Sequence, residues 1–293
     1  MTAVAQEPAR RLGGLHAAFG GSGARWLLAP PIIFLLLLLI VPLGYVVVLA
    51  FDHANGKTGV SQAASDPIFR AALWRTFVLA TIVSALALVF GTLYAIGLAV
   101  APRWLSILML VALFTIFWTS LIVRTYGWQL LYLPQGPLYT VLHDLGLRKE
   151  PLAIYQTNFA SYPAMVHVML PFIVLPVYSA LRQIDPMHIR AARVLGARPP
   201  LILWKVVLPQ LRAGMASGAV LVFVMSLGFY VTPTLLGSQT GQMVAGLIGG
   251  DFSQPGQTPI AAAMSLALLI VVIVVYAIAD RVFRVSEQWG GGQ

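Results

Sequence analysis

The residues able to do covalent or acid–base chemistry are few and badly spaced for it. The 293-residue chain has no cysteine, which removes disulfides, thiol catalysis and thiolate metal sites. Gly56-Lys57-Thr58 has the ending of a phosphate-binding loop, but that loop needs a further glycine where Phe51 stands. No Gly-x-Ser-x-Gly nucleophile turn occurs, and the Gly-Gly-Ser-Gly run at 20–23 follows no strand. His167 is the single histidine in a long apolar stretch. It is too isolated for a haem or paired-ligand metal site and reads as hydrogen-bonded inside a helical bundle. Catalytic, cofactor-binding and metal-binding residues are therefore all expected to be none.

Carboxylates matter by their positions. Apart from Asp280, none falls within a long apolar stretch. Carriers coupled to protons or sodium keep ionisable groups near mid-membrane, so this chain needs energy from outside itself. The polar and aromatic groups that could line a path are Trp118, Arg124, Tyr126, Tyr230 and Thr232. Tyr126, Trp128 and Tyr132 read equally as an interfacial aromatic belt. Arg75 and Arg124 read equally as snorkelling or as holding the fold.

These groups need elements to hold them, and composition says which. The chain is 59% hydrophobic and 9% charged, against roughly a quarter charged in a soluble domain. Segments 26–50, 74–101, 105–128, 162–181, 211–236 and 258–282 approach or exceed the length of about 20 residues that crosses a bilayer. The first follows Arg10, Arg11 and Arg25 like a signal peptide. Its apolar run is too long and lacks a cleavage site, so it reads as a retained anchor. The expected fold is all-α and integral to the membrane, with six transmembrane helices and both termini on one side.

With the termini inside, the inner segments carry Arg10, Arg11, Arg25, Arg103, Arg182, Arg190, Arg193, Arg198, Lys205, Arg212, Arg281 and Arg284. The outer segments carry Lys57, Arg70, Arg75, Arg124, Arg148 and Lys149. This bias predicts cytoplasmic termini. It also accounts for the net charge of +9 without a nucleic-acid partner. The chain divides into a cytoplasmic tail at 1–25, a transmembrane domain at 26–282 with a cytoplasmic loop at 182–210, and a tail at 283–293. Pro171 and Pro176 are expected to bend the fourth span, and Gly214 and Gly218 to admit close helix packing.

The cytoplasmic loop is the most informative segment. Asp185-Pro186 is a helix start, with a capping carboxylate and a proline in the first turn. Ile189, Ala192, Val194 and Leu195 supply an apolar side, and Gly196 sits where a left-handed residue would end the helix. Pro199 and Pro200 open a second helix. Ala191 and Ala192 offer little bulk, so another protein can approach closely. An amphipathic loop lying on headgroups is the alternative.

Arg190-Ala191-Ala192-Arg193-Val194-Leu195-Gly196, followed by Leu208-Pro209 and Gly214, resembles the cytoplasmic motif of ATP-binding-cassette importer permeases. The family pattern has glutamate where this chain has Arg190. Two further stretches narrow the resemblance. Residues 117–128, Phe-Trp-Thr-Ser-Leu-Ile-Val-Arg-Thr-Tyr-Gly-Trp, are similar to the third span of spermidine/putrescine-type permeases. Residues 228–237, Gly-Phe-Tyr-Val-Thr-Pro-Thr-Leu-Leu-Gly, are similar to the end of their fifth.

The resemblance implies the type I importer permease fold and a multi-pass inner-membrane location. It implies a coupling helix formed by Ile189, Arg190, Ala191, Ala192, Leu195 and Gly196 that docks on an ATPase. Implied partners are a second permease subunit, expected to be a different chain, two ATPase subunits, a periplasmic solute-binding protein and membrane lipid. ATP and Mg belong to the ATPase subunits; this chain is expected to hold no cofactor and to be no enzyme. The implied solute is a polyamine, with an opine, an amino-acid-like compound or an aminophosphonate as alternatives. Readings from other classes are an ion-coupled secondary carrier and a membrane-embedded enzyme or assembly subunit.

Overall fold

A computed structural model describes residues 22–54, 56–237 and 242–283. Residues 1–21 and 284–293 of the expected tails, with Arg10, Arg11 and Arg284, lie outside the described residues, as does the Arg25 side chain; residues 22–25 and 283 belong to helices. The first helix, α1, is Ser22–Ala50. Over Ala29–Ala50 its most apolar window has no buried residue, as suits a helix that is apolar all round and faces lipid. Two-residue strands, β1 at His53–Ala54 and β2 at Lys57–Thr58, form an antiparallel turn. The short α2, Gly59–Ser65, follows.

Helix α3, Pro67–Val100, begins as the sequence chemistry requires. Asp66 Oδ1 accepts from the Ile68 N–H at 2.8 Å, and Pro67 occupies the first turn. Its 34 residues reach about 50 Å, well beyond the hydrocarbon thickness. The expected third span is broken instead: α4, Arg103–Trp118, and α5, Leu121–Leu131, meet at 107°. A short α6, Pro137–Asp144, leads to α7, Asn158–Gln183, which runs unbroken through Pro163, Pro171 and Pro176.

On the other side lie α8, Pro186–Val194, and α9, Pro199–Ile202, then a π-helical turn, Leu203–Val207. Helix α10, Leu208–Leu227, ends earlier than the expected fifth span; Gly228 interrupts it before the short α11, Val231–Leu236. Helix α12, Val244–Phe252, precedes the last span, α13, Thr258–Phe283. Among the described residues five helices are long and apolar enough to cross a bilayer, or six with the bent α4–α5 pair counted as one span. On the count of six, alternation of the spans puts the start of α1, the end of α13 and α8 on one side.

The core lies where α3, α7 and α10 meet, around Val83, Ala87, Met169, Ile173, Leu211 and Val222. Lipid tails are as apolar as these side chains, so close approach and not water exclusion must hold the helices together. Gly91 and Gly218 both close on Ile173; an added Cβ would stand 2.6 Å and 3.2 Å from its atoms. At Gly214 a Cβ would meet the Pro176 carbonyl oxygen at 2.8 Å. The second core joins α1, α3, α12 and α13 around Ala50, Ala72, Val244 and Ala262.

Candidate functional site

The α8 side carries the arrangement set out by the 182–210 sequence. Asp185 Oδ1 accepts from the Met187 N–H at 2.8 Å and starts the helix. At its end Gly196 adopts φ +77°, donates to the Arg193 carbonyl at 2.9 Å, and is followed by Ala197 donating to Ala192 at 3.0 Å. These paired bonds satisfy carbonyls that a helix end leaves free. A Cβ on Gly196 would meet nothing within 4 Å, so the backbone angle, not space, requires glycine.

Ile189, Ala192, Val194 and Leu195, expected to form one apolar side, do not share one. Ile189 and Ala192 pack on the core, while Val194 and Leu195 are 87% and 86% exposed. Met187, Ala191 and Val194 stand at i, i+4 and i+7, so they share the outward face, beside Arg190. Leu195 lies past the last helical residue and turns outward with them. The outward face is therefore apolar with one cationic edge, and the inward face anchors the helix. After it the Leu208 N–H bonds to Leu203 five residues back. Pro209 lacks the N–H that a regular turn would use there, and the π turn accommodates it.

The second feature is the break between α4 and α5. Thr119 and Ser120 are extended there, which frees carbonyls at the end of α4. Arg124 Nη2 donates to the Ile116 carbonyl and to the Thr119 carbonyl, the latter at 2.8 Å. Broken backbone at membrane depth must be satisfied internally, and Arg124 does this. Of the roles open to it in the sequence, path lining, snorkelling and holding the fold, the last is the one its hydrogen bonds serve. Arg75 turns back on its own helix and donates to Ala71 at 3.1 Å.

The other path candidates are dispersed. Trp118 is 90% exposed at the break, and Tyr126 and Tyr230 are exposed as well. Among the described residues these three rings make no ring contact with one another. Thr232 is fully buried, its hydroxyl 3.3 Å from that of Thr125, and it ties α11 to α5.

A polar seam on the side opposite α8 is what sequence reasoning missed. Trp128 Nε1 donates to His167 Nδ1 at 3.4 Å, so His167 is a hydrogen-bonded bundle residue. Gln129 Nε2 donates to Tyr155 Oη at 2.9 Å. Gln129 Oε1 and Asn158 Oδ1 are buried acceptors with no hydrogen-bond partner among the described residues. Nearby Ser161 Oγ is likewise unpaired. Outside the spans, on that same side, burial pushes the Asp251 carboxyl above its usual range, and neighbouring Asp66 adds to the rise. Asp66 and Asp251 lie beyond the apolar stretches, so counting carboxylates within spans passes over them. Among the described residues no group of three or more His, Cys, Asp or Glu is placed to hold a metal ion.

Residues 85–289 match the family described as the binding-protein-dependent transport system inner membrane component. The chain belongs to that family. It is the permease subunit of an ABC-type importer, a multi-pass protein of the bacterial inner membrane. The permease is 28% identical to the spermidine/putrescine transport system permease protein PotB of Haemophilus influenzae, over 75% of this chain and 78% of that one. It is 30% identical to PotB of Escherichia coli strain K12, over 75% and 81%. The chloroplastic sulfate permease 2 of Chlamydomonas reinhardtii is 31% identical over 71% of this chain and 57% of its own length.

Among solved structures, the permease resembles a bacterial ABC transporter involved in import of the acidic polysaccharide alginate. The TM-score is 0.71 at 18% identity, covering 94% of this chain and 98% of that one. The MetNI methionine ABC transporter gives 0.56 at 20% identity, covering 74% and 95%. At these identities the likeness establishes the type I importer permease fold, and the solute has to be argued from elsewhere.

Proposed function

We propose that this permease carries a polyamine from periplasm to cytoplasm, with the α8 side and both termini cytoplasmic. The observation that carries this reading is the resemblance to PotB proteins over three quarters of the chain. Two physical features support a cationic solute. Gln129 Oε1 and Asn158 Oδ1 are buried acceptors suited to ammonium N–H donors. Asp66 and Asp251 bring two carboxylates together on the proposed periplasmic side. The exposed rings of Trp118, Tyr126 and Tyr230 can add cation–π attraction of about 0.5–2 kcal/mol each. Arg124 and Thr232 support the path from behind by holding α5 and α11.

The outward face of α8 is the ATPase docking surface in this reading. Arg190, Ala191, Leu195 and Gly196 meet the partner, and Ile189 and Ala192 fix the helix to the spans. The assembly comprises a second, different permease subunit, two ATPase subunits holding ATP and Mg, and a periplasmic binding protein. The divisions at 1–25, 26–282 and 283–293 follow the same scheme.

A second reading, an anionic or zwitterionic solute, is favoured by the sulfate permease relative. Uptake of labelled putrescine, spermidine, sulfate and an opine by the intact transporter separates them. The polyamine reading expects uptake of putrescine or spermidine, with no competition from the carboxylate-bearing solute or sulfate. Uptake of sulfate or the opine alone would overturn it.

A further inference from the structure

A cavity of about 430 Å³ lies beneath α8, and none of the roles above uses it. That volume falls within the roughly 300–1,000 Å³ range of small-molecule sites. Its walls come from three places: Val100 at the end of α3, Ile184 after α7, and Ile189 and Ile202 of the α8–α9 segment. Arg182 and Arg193 are the charged residues among its lining, and no carboxylate faces them there. Neither guanidinium has a hydrogen-bond or ion-pair partner among the described residues.

Two tryptophans give its depth. Trp104, in the first turn of α4, and Trp204, next to the lining residue Leu203, are each 68% exposed. Exposed tryptophan beside the end of a membrane span marks the headgroup level. The cavity thus combines apolar walls, two unpaired arginines and interfacial depth.

We propose that this cavity holds the phosphate and upper acyl chain of an anionic phospholipid from the leaflet on the α8 side. A free inorganic anion would use the arginines but gain nothing from the isoleucine walls. A neutral lipid would use the walls and leave two cations without a counter-charge. Only a molecule with both parts uses the whole surface, and basic pockets between spans favour anionic headgroups on the same grounds. The bound lipid touches Arg193 and Ile189 of α8 as well as the ends of α3 and α7. It therefore braces the helix whose outward face is free for docking. The proposal rests on the membrane-spanning fold and not on which solute is carried.

Native mass spectrometry of the full chain, purified in detergent and titrated with phosphatidylglycerol or phosphatidylcholine, tests it without any transport assay. The chain is expected to retain phosphatidylglycerol preferentially. In Arg182→Gln/Arg193→Gln that retention is expected to fall about tenfold or more, with phosphatidylcholine unchanged. Ala99→Phe narrows the apolar wall, keeps both arginines, and is expected to lower phosphatidylglycerol retention as well. Equal retention of the two lipids by the unaltered chain would overturn the proposal, whatever the variants do. So would full retention in both variants, or displacement of the lipid by inorganic phosphate.

Discussion

Gly196 and Arg124 are two single residues on which separate parts of the permease depend. At φ +77° a residue with a β-carbon pays about 1 kcal/mol or more, and a β-branched one is worst placed. Because a Cβ there meets no neighbour, Gly196→Val should leave insertion and thermal stability of the spans nearly intact. The variant is expected to lose ATPase co-purification, while Gly196→Asn, which tolerates the left-handed region, keeps most of it. Equal recovery of the ATPase with valine and asparagine would remove the helix end from docking. Arg124 answers to a different measurement. Arg124→Gln leaves at least one of two carbonyls at the α4–α5 break without its donor, a loss of about 1–3 kcal/mol. Its thermal midpoint should fall and uptake of every solute should drop together. Loss of anionic solutes alone, at unchanged stability, would return Arg124 to the path.

Between the elements, glycine decides how closely α3, α7 and α10 approach. Gly214 faces the Pro176 backbone, which cannot move aside as a side chain would, so Gly214→Ala should destabilise by about 1–3 kcal/mol. Gly97, in the interior of α3, leaves a Cβ at an ordinary 3.4 Å from a flexible methionine end. Gly97→Ala should be neutral or stabilise by about 0.5–1 kcal/mol. Thermal unfolding of the two variants in the same detergent checks the opposite signs. Much at this scale was legible in the sequence. Asp185-Pro186 and Gly196 act through contacts within a few residues, so their roles follow from local chemistry. The spans follow from long apolar runs. The break at Thr119 was not legible, since no glycine or proline marks it and the donor that stabilises it arrives from Arg124. Gly228 did mark the other break, but the apolar run continuing to Leu236 hid it. The pairing of Thr125 with Thr232, and of Trp128 with His167, joins residues far apart in sequence and leaves no local trace.

At the scale of the whole molecule, the permease is a scaffold with two faces. Its apolar outward face on α8 lies across the membrane from the polar seam of Gln129, Asn158 and Ser161. The three-helix core of α3, α7 and α10 lies between the two. The proposed function requires above all that an ATPase in a partner subunit drives import through this chain. The direct test is uptake by proteoliposomes containing the complete transporter, with binding protein and solute outside, ATP inside, and ion gradients collapsed by ionophores. Accumulation is expected to need ATP and the binding protein and to survive loss of the gradients. Accumulation by this chain without an ATPase, abolished when the gradients collapse, would contradict it.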